Sequence, residues 1–211
     1  MRKWLEIGGI VAGIVLVLFG VGAVVMGVNA RSTVQSSLRQ EQIVGTPDMT
    51  PKAIAAEAQK AGLPATISLP SCSVAGAAID TGGEARCFAR YMRIHALEAT
   101  GGVPYAAMPR YATADGKGTN DAAKALTVNG RPVDNAAQNV WVTENALSTA
   151  LNVSYMAQQL GNFGIVVGIA LLLSGFGFVI LAVGGALRAG SWLFETKFSK
   201  TTAQMTKPVG A

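Results

Sequence analysis

Charge is scarce in this chain: only 14% of its 211 residues are Asp, Glu, Lys or Arg, where an ordinary soluble domain carries about a quarter. Half of the residues are apolar, so a disordered chain is excluded and a simple soluble domain is disfavoured. Histidine is scarcer still, with His95 standing alone beside two cysteines. One histidine leaves too few ligands for a zinc centre or a two-histidine, one-carboxylate iron site, and His95 reads as a polar residue on a helix face. No GxSxG occurs, and a serine triad would have to be built around that same histidine. The run Gly116, Lys117, Gly118, Thr119 has the flavour of a phosphate loop without its spacing, and reads as a flexible loop. No spacing singles out a pair of carboxylates for acid and base work. The sequence therefore assigns no catalytic residue, no metal ligand and no cofactor.

The missing charge is concentrated in two places. No charged residue lies between Ile7 and Ala30, nor between Glu144 and Arg188. Residues 7–28 and 163–187 are each long enough, at about 1.5 Å per helical residue, to cross a hydrocarbon core of about 30 Å. Uninterrupted apolar runs above about 18 residues argue for membrane helices rather than buried core helices. A cleaved leader is the alternative for the first, since Arg2 and Lys3 precede it and Val28, Asn29 and Ala30 offer small residues at the cleavage positions. An apolar region of 22 residues exceeds the usual 7 to 15, which favours an uncleaved anchor. Neither span holds an ionisable residue, so proton relays and ion coordination within the pair are not expected.

The net charge of +5 then becomes an orientation signal. Residues 1–6 and 188–211 together hold six basic and two acidic residues, against eleven and ten in the middle. By the positive-inside rule both ends are cytoplasmic and residues 29–162 lie outside. Nucleic acid is not an expected partner. In the tail, Trp192, Phe194 and Phe198 interleave with Arg188, Lys197 and Lys200, a pattern suited to lying on an anionic inner leaflet, so membrane lipid is an expected partner.

The outer segment reads as a small mixed α+β domain. Cys72 and Cys87 both fall within it, and a disulfide is the leading reading. Thr50, Pro51 and Gly62 frame a helix over residues 51–61. Residues 65–69, between Pro64 and Pro70, suggest an edge strand. A second helix spans about residues 84–100, and Asn129-Gly130 suggests a hairpin turn. Residues 115–121 read as a mobile polar loop. A helical stripe at Leu147, Leu151, Ser154 and Gln158 should continue into the second span, and Val34, Leu38 and Glu41 should extend the first, making an antiparallel helical neck.

Two features suggest contacts. Gly9 with Gly13, and Gly164 with Gly168, form GxxxG pairs through which the spans could pack. Arg86, Arg90 and Arg93 share one stripe of the second outer helix and could receive an anionic headgroup, a glycan or an acidic surface; a solvated face paired with Asp80 is the plainer reading. The two spans also resemble each other, Gly13, Gly20 and Gly22 matching Gly168, Gly175 and Gly177, which a shared lipid constraint accounts for better than an inverted repeat.

The stretches MRKWLEIGGIVAGIVL, CSVAGAAIDTGGEARCFARYMRIHALEATGG and VWVTENALSTALNVSYMAQQLGNFGIVVGIALLLSGFGF are similar to a family of uncharacterised actinobacterial two-pass membrane proteins. Members often carry the label "aromatic ring-opening dioxygenase". The resemblance spans nearly the whole chain and implies the same topology, in a bacterial plasma membrane. Such dioxygenases need a histidine-rich iron site, and a lone His95 does not supply one. The expected function is a non-enzymatic envelope protein that presents its outer domain to another envelope protein or to a second copy of itself. The alternative is an oligomeric subunit that handles lipid or a small molecule through the arginine stripe. A hydrolase built on unrecognised carboxylates comes third.

Overall fold

The computed structural model describes residues 2–184, and the tail residues Arg188, Trp192, Phe194, Lys197, Phe198 and Lys200 lie outside the described residues. Helices come in the order α1 (Arg2–Gln40), α2 (Pro51–Lys60), α3 (Gly82–Ala99) and α4 (Ala137–Val183). One two-stranded hairpin, β1 (Thr127–Val128) and β2 (Arg131–Pro132), precedes α4. Two compact units result: residues 30–160 form one, and the flanking helical segments on either side form the other.

In the flanking unit the apolar halves of α1 and α4 pack antiparallel along a repeat of seven residues. Glycines at 13, 20 and 27 of α1 meet glycines at 175, 168 and 161 of α4. A Cβ built on Gly13, Gly20 or Gly27 would lie 2.8, 2.9 or 2.5 Å from the facing glycine's carbonyl oxygen. Four residues beyond each of these glycines except Gly27, a branched residue covers the partner backbone: Val17, Val24, Ile165, Leu172 and Val179. Small and large residues thus alternate at 3-4 spacing, the spacing that keeps a seam facing its partner along two helices. Gly13 and Gly168, expected to pack, belong to this seam. Gly164 is more peripheral, since a Cβ there would lie 3.5 Å from the nearest backbone atom, and Gly9 is half-buried. The repeat is therefore seven residues and not the four of GxxxG. It also explains the likeness of the two spans, since the matching positions Gly13/Gly168, Gly20/Gly175, Val17/Leu172 and Val24/Val179 are seam positions in both.

Away from the seam the same helices turn apolar side chains outward: Val11, Leu18 and Val25 on α1 and Val166, Leu173 and Ile180 on α4 are 52–70% exposed. A helix pair in water would carry polar residues there. The two helices are long and apolar enough to cross a membrane, and little of the apolar window of either is buried.

In the unit of residues 30–160 the core is built around α3. Thr81 caps this helix in a reciprocal capping box, its hydroxyl accepting from the Glu84 amide while the Glu84 carboxylate accepts from the Thr81 amide. Half of its 18 residues are buried, among them Cys87, Phe88, Tyr91, Ile94 and Leu97. Around it pack Ile54 and Ala58 of α2, Met49, Val74 and Ile79 of the connecting segments, and Trp141 and Leu151 of α4. The seam spacing of α1 continues in sequence to Val34 and Leu38, which join this core. Gly82 allows the start of α3 to lie directly on α4, since a Cβ there would meet the Tyr155 backbone at 2.7 Å.

The Cys72–Cys87 disulfide ties the first turns of α3 to the preceding loop, and the Tyr91 hydroxyl donates to the Cys72 carbonyl. By the loop-closure argument its 15-residue span makes the bridge worth about 3 kcal/mol. Reduction, or replacement of both cysteines by serine, should lower the unfolding free energy of this unit by that amount, measured by hydrogen exchange of the α3 amides.

The observed α2, α3 and hairpin agree with the expected elements, and Asn129 and Gly130 both adopt positive φ, as the two-residue turn requires. Residues 65–69 are turn and irregular structure and not a strand. Pro64 and Pro70 remove donors at both ends, and the Ile67 amide is used locally on the Pro64 carbonyl. The antiparallel bridging instead joins Val44 to Ala78, with Gly45 seated against the Val74 carbonyl, where a Cβ would not fit. Residues 115–121 are also tied down. The Asp115 carboxylate accepts from the Thr113 hydroxyl and the Lys117 amide, so the loop already holds an anion where a phosphate loop would receive one.

Candidate functional site

Helix α3 carries the arginine stripe, and the fold spends its members differently. Arg86 lies over the Tyr155 ring at 4.5 Å, and Arg93 over the Trp141 ring at 5.4 Å. Arg90 is exposed and has no ion pair among the described residues. Asp80, the acid expected to neutralise the stripe, pairs with Arg39 at 3.1 Å instead. The structure thus leaves Arg90 and Arg93 one helical turn apart without a carboxylate partner, while Arg86 points to a different neighbour.

Between α3 and α4 lies a cleft of about 460 Å³, lined by Arg90 and Arg93 on one wall and by Glu144, Asn145, Ser148 and Asn152 on the other. Glu144 is the informative residue. It is 3% exposed, the one charged side chain among the buried residues described. Its Oε1 accepts the Ser148 hydroxyl at 2.7 Å, whereas its Oε2 is buried without a partner. Leaving a buried acceptor unsatisfied costs about 1–3 kcal/mol, more for a charged group. Farther along α4 the cleft wall becomes apolar at Val153 and Met156. Trp141, beneath Arg93, donates its Nε1 hydrogen to the Val103 carbonyl at 3.0 Å. Nothing in the sequence singled out Glu144, because its significance depends on Ala89 and Ser148 closing over it from two helices.

A second cluster sits at the opposite face of α3. His95 Nε2 lies 2.8 Å from Asp48, and Asp48, Glu57 and His95 each offer one ligand atom within 4.8 Å of the others. These three residues could hold a divalent cation, although their donor set is neither of those considered from the sequence. They come from the loop before α2, from α2 and from α3, so their meeting was invisible in the sequence. Glu98, one turn beyond His95, has a buried Oε1 without a partner.

The two acids respond to this setting in opposite directions. The Thr46 side-chain hydrogen bond, helped by the Asp48 amide and by His95, holds the Asp48 carboxyl below its ordinary 3.8 despite partial burial. Burial pushes Glu98 above its ordinary 4.5, with Glu57 and Asp48 adding to the effect and His95 opposing it. Between its raised value and 4.5 the folded state binds more protons at Glu98 than the unfolded state does. Lowering the pH through that window therefore stabilises the fold, and the gain is complete near pH 4.5. Below 3.8 Asp48 acts in the reverse sense, and stability falls as its carboxylate is protonated. Glu98→Gln should abolish the rise, leave the acid limb in place and raise stability at neutral pH, as read by denaturant titrations from pH 7 to 3.

No family model, curated protein or solved structure matches the chain.

Proposed function

We propose that the chain is a non-enzymatic two-pass protein of a bacterial cell envelope. Both ends are cytoplasmic, and residues 29–162 form an outer module that engages another envelope protein or a second copy of the chain. The observation that carries this reading is the helix pair, packed on itself through glycines while the large side chains it turns outward over residues 7–28 and 163–183 are apolar. The disulfide between Cys72 and Cys87 supports placement of the module on the oxidising side. The basic residues at the two ends support the orientation.

Cysteine labelling tests it. A cysteine at the exposed Lys124 should react with an impermeant maleimide in intact cells, and one at Lys3 only after lysis. The reverse pattern would invert the topology, and labelling of both in intact cells would remove it. Purified in mild detergent, the chain should carry a partner or self-associate; a strict monomer without partner or lipid would remove the interaction role.

A further inference from the structure

The cluster around His95 is short of positive charge. Asp48, Glu57 and Glu98 gather three carboxyl groups about one imidazole, and no lysine or arginine pairs with any of them among the described residues. The consequence shows at Glu98, which stands one turn along α3 from His95 on the same face. Its Oε1 is buried without a hydrogen-bond partner. Burial disfavours its charge most, His95 favours it, and Glu57 and Asp48 both oppose it, so Glu98 is in electrostatic contact with every member of the cluster. A dication among these groups answers both deficits: its charge offsets the carboxylates, and water on it supplies the donor that Oε1 lacks.

The geometry suits such an ion. Asp48, Glu57 and His95 each offer one ligand atom within 4.8 Å of the others, and His95 Nε2 stands 2.8 Å from Asp48 Oδ2. At metal–ligand distances of about 2.1 Å, tetrahedral ligands stand about 3.4 Å apart, so side-chain shifts of about 1.5 Å or less bring all three onto one centre. The Thr46 side chain holds the Asp48 carboxylate by a hydrogen bond, the outer support that ligating carboxylates use. The His95 and Asp48 side chains are 27% and 28% exposed, which leaves the ion an entry path and room for water on its remaining positions.

The donor set narrows the ion. Calcium and magnesium take oxygen ligands, and an imidazole nitrogen among carboxylates suits a first-row metal. Thiolate takes no part, since Cys72 and Cys87 are joined to each other. We propose that Asp48, Glu57 and His95 bind one first-row divalent cation, zinc or manganese, with Glu98 accepting from a water on it. The ion clasps α2 and the loop before it to α3. This site goes beyond the envelope reading and does not rest on it.

The test uses the full chain in detergent micelles, prepared without a histidine tag and stripped with a chelator. Zn²⁺, Mn²⁺, Ca²⁺ and Mg²⁺ are titrated calorimetrically. One Zn²⁺ or Mn²⁺ per chain is expected, and the tighter of the two identifies the ion. His95→Gln, Glu57→Gln and Glu98→Gln should each weaken binding about tenfold or more. Asp134→Asn, at an exposed acid outside the cluster, should leave it unchanged. Amide exchange of α2 should slow when the ion is added to wild type and stay as it was in His95→Gln. The proposal is overturned if neither Zn²⁺ nor Mn²⁺ binds, if Ca²⁺ or Mg²⁺ binds as tightly as both, or if the three cluster variants leave the affinity unchanged. Binding without any slowing of α2 exchange removes the clasp. Glu98→Gln, expected above to raise stability at neutral pH, keeps the test open should His95→Gln perturb folding. A failure here with the cysteine-labelling pattern intact removes the metal and leaves the topology.

Discussion

Valine at both Gly20 and Gly168 should separate the helix pair, lowering its stability by about 4 kcal/mol or more, whereas valine at Gly22 should be neutral. A Cβ on Gly20 would lie 2.9 Å from the Gly168 carbonyl oxygen and 2.8 Å from Leu172 Cγ, and one on Gly168 would lie 2.8 Å from the Gly20 carbonyl oxygen. Backbone cannot rotate out of the way as a side chain can, so the axes must move apart. A single overpacked position typically costs about 1–3 kcal/mol, and this pair shares one contact, which couples their effects. Separation also opens the contacts above and below, where Gly13 faces Gly175 and Gly27 faces Gly161. At Gly22 nothing lies within 4 Å of the added carbon, and an extra apolar group there adds only to the outward face. Both variants only add apolar methyl groups, and they differ in whether the seam or the outward face receives them. Resistance to denaturation in detergent, read as the midpoint of a steric-trap or SDS titration, checks it. Equal midpoints for the Gly20/Gly168 and Gly22 variants would mean that the seam carries no energy.

This contrast also marks what the sequence could and could not reveal. Apolar runs, lengths and flanking charges identify the spans because those properties add up along the chain without reference to tertiary contacts. The seam was legible only in part. GxxxG pairs draw attention to Gly9 and Gly164 because they lie four residues from Gly13 and Gly168, yet antiparallel close packing over about four turns selects every seventh residue. The decisive signal, glycine at 13, 20 and 27 and again at 161, 168 and 175, was present in the sequence as a period. In the outer unit the capped helices and the Asn-Gly turn were legible because each is set by local chemistry. Thr81 and Glu84 offered the capping-box spacing, which would have moved the start of α3 back to Gly82. The candidate strand at residues 65–69 failed because strand formation needs a partner, and Ile43 to Gly45 pair with residues 76–79 instead. The arginine stripe was visible as helical spacing. Its division into two stacked members and one unpaired member was not, because Tyr155 and Trp141 come from 48 or more residues away in the chain.

Trp141→Ala should destabilise the outer unit by about 3–5 kcal/mol, the usual cost of deleting a buried indole. Trp141 is 1% exposed and is the largest of the fully buried side chains. Three consequences follow from its removal. The cavity lies where α4 meets α3, so Phe88 to Leu97 lose a packing surface that neither helix can restore by itself. The Val103 carbonyl loses the indole donor, which frees the segment after α3 that Gly101 and Gly102 already turn through positive φ. Arg93 loses the ring beneath its guanidinium. Trp141→Phe separates these effects, keeping most of the apolar volume and a ring for Arg93 while deleting the hydrogen bond, and should cost roughly half as much or less. Amide exchange on α3 and pulse proteolysis within residues 105–125 read the stability of this unit without interference from the apolar helix pair. Because the Cys72–Cys87 bridge limits the unfolded chain in wild type and variants alike, it cancels from the comparison, and the difference reports packing at Trp141. An alanine variant within about 1 kcal/mol of wild type would show that α4 is held to the core by other contacts. The arginine face of the cleft would then owe its geometry to α3 alone.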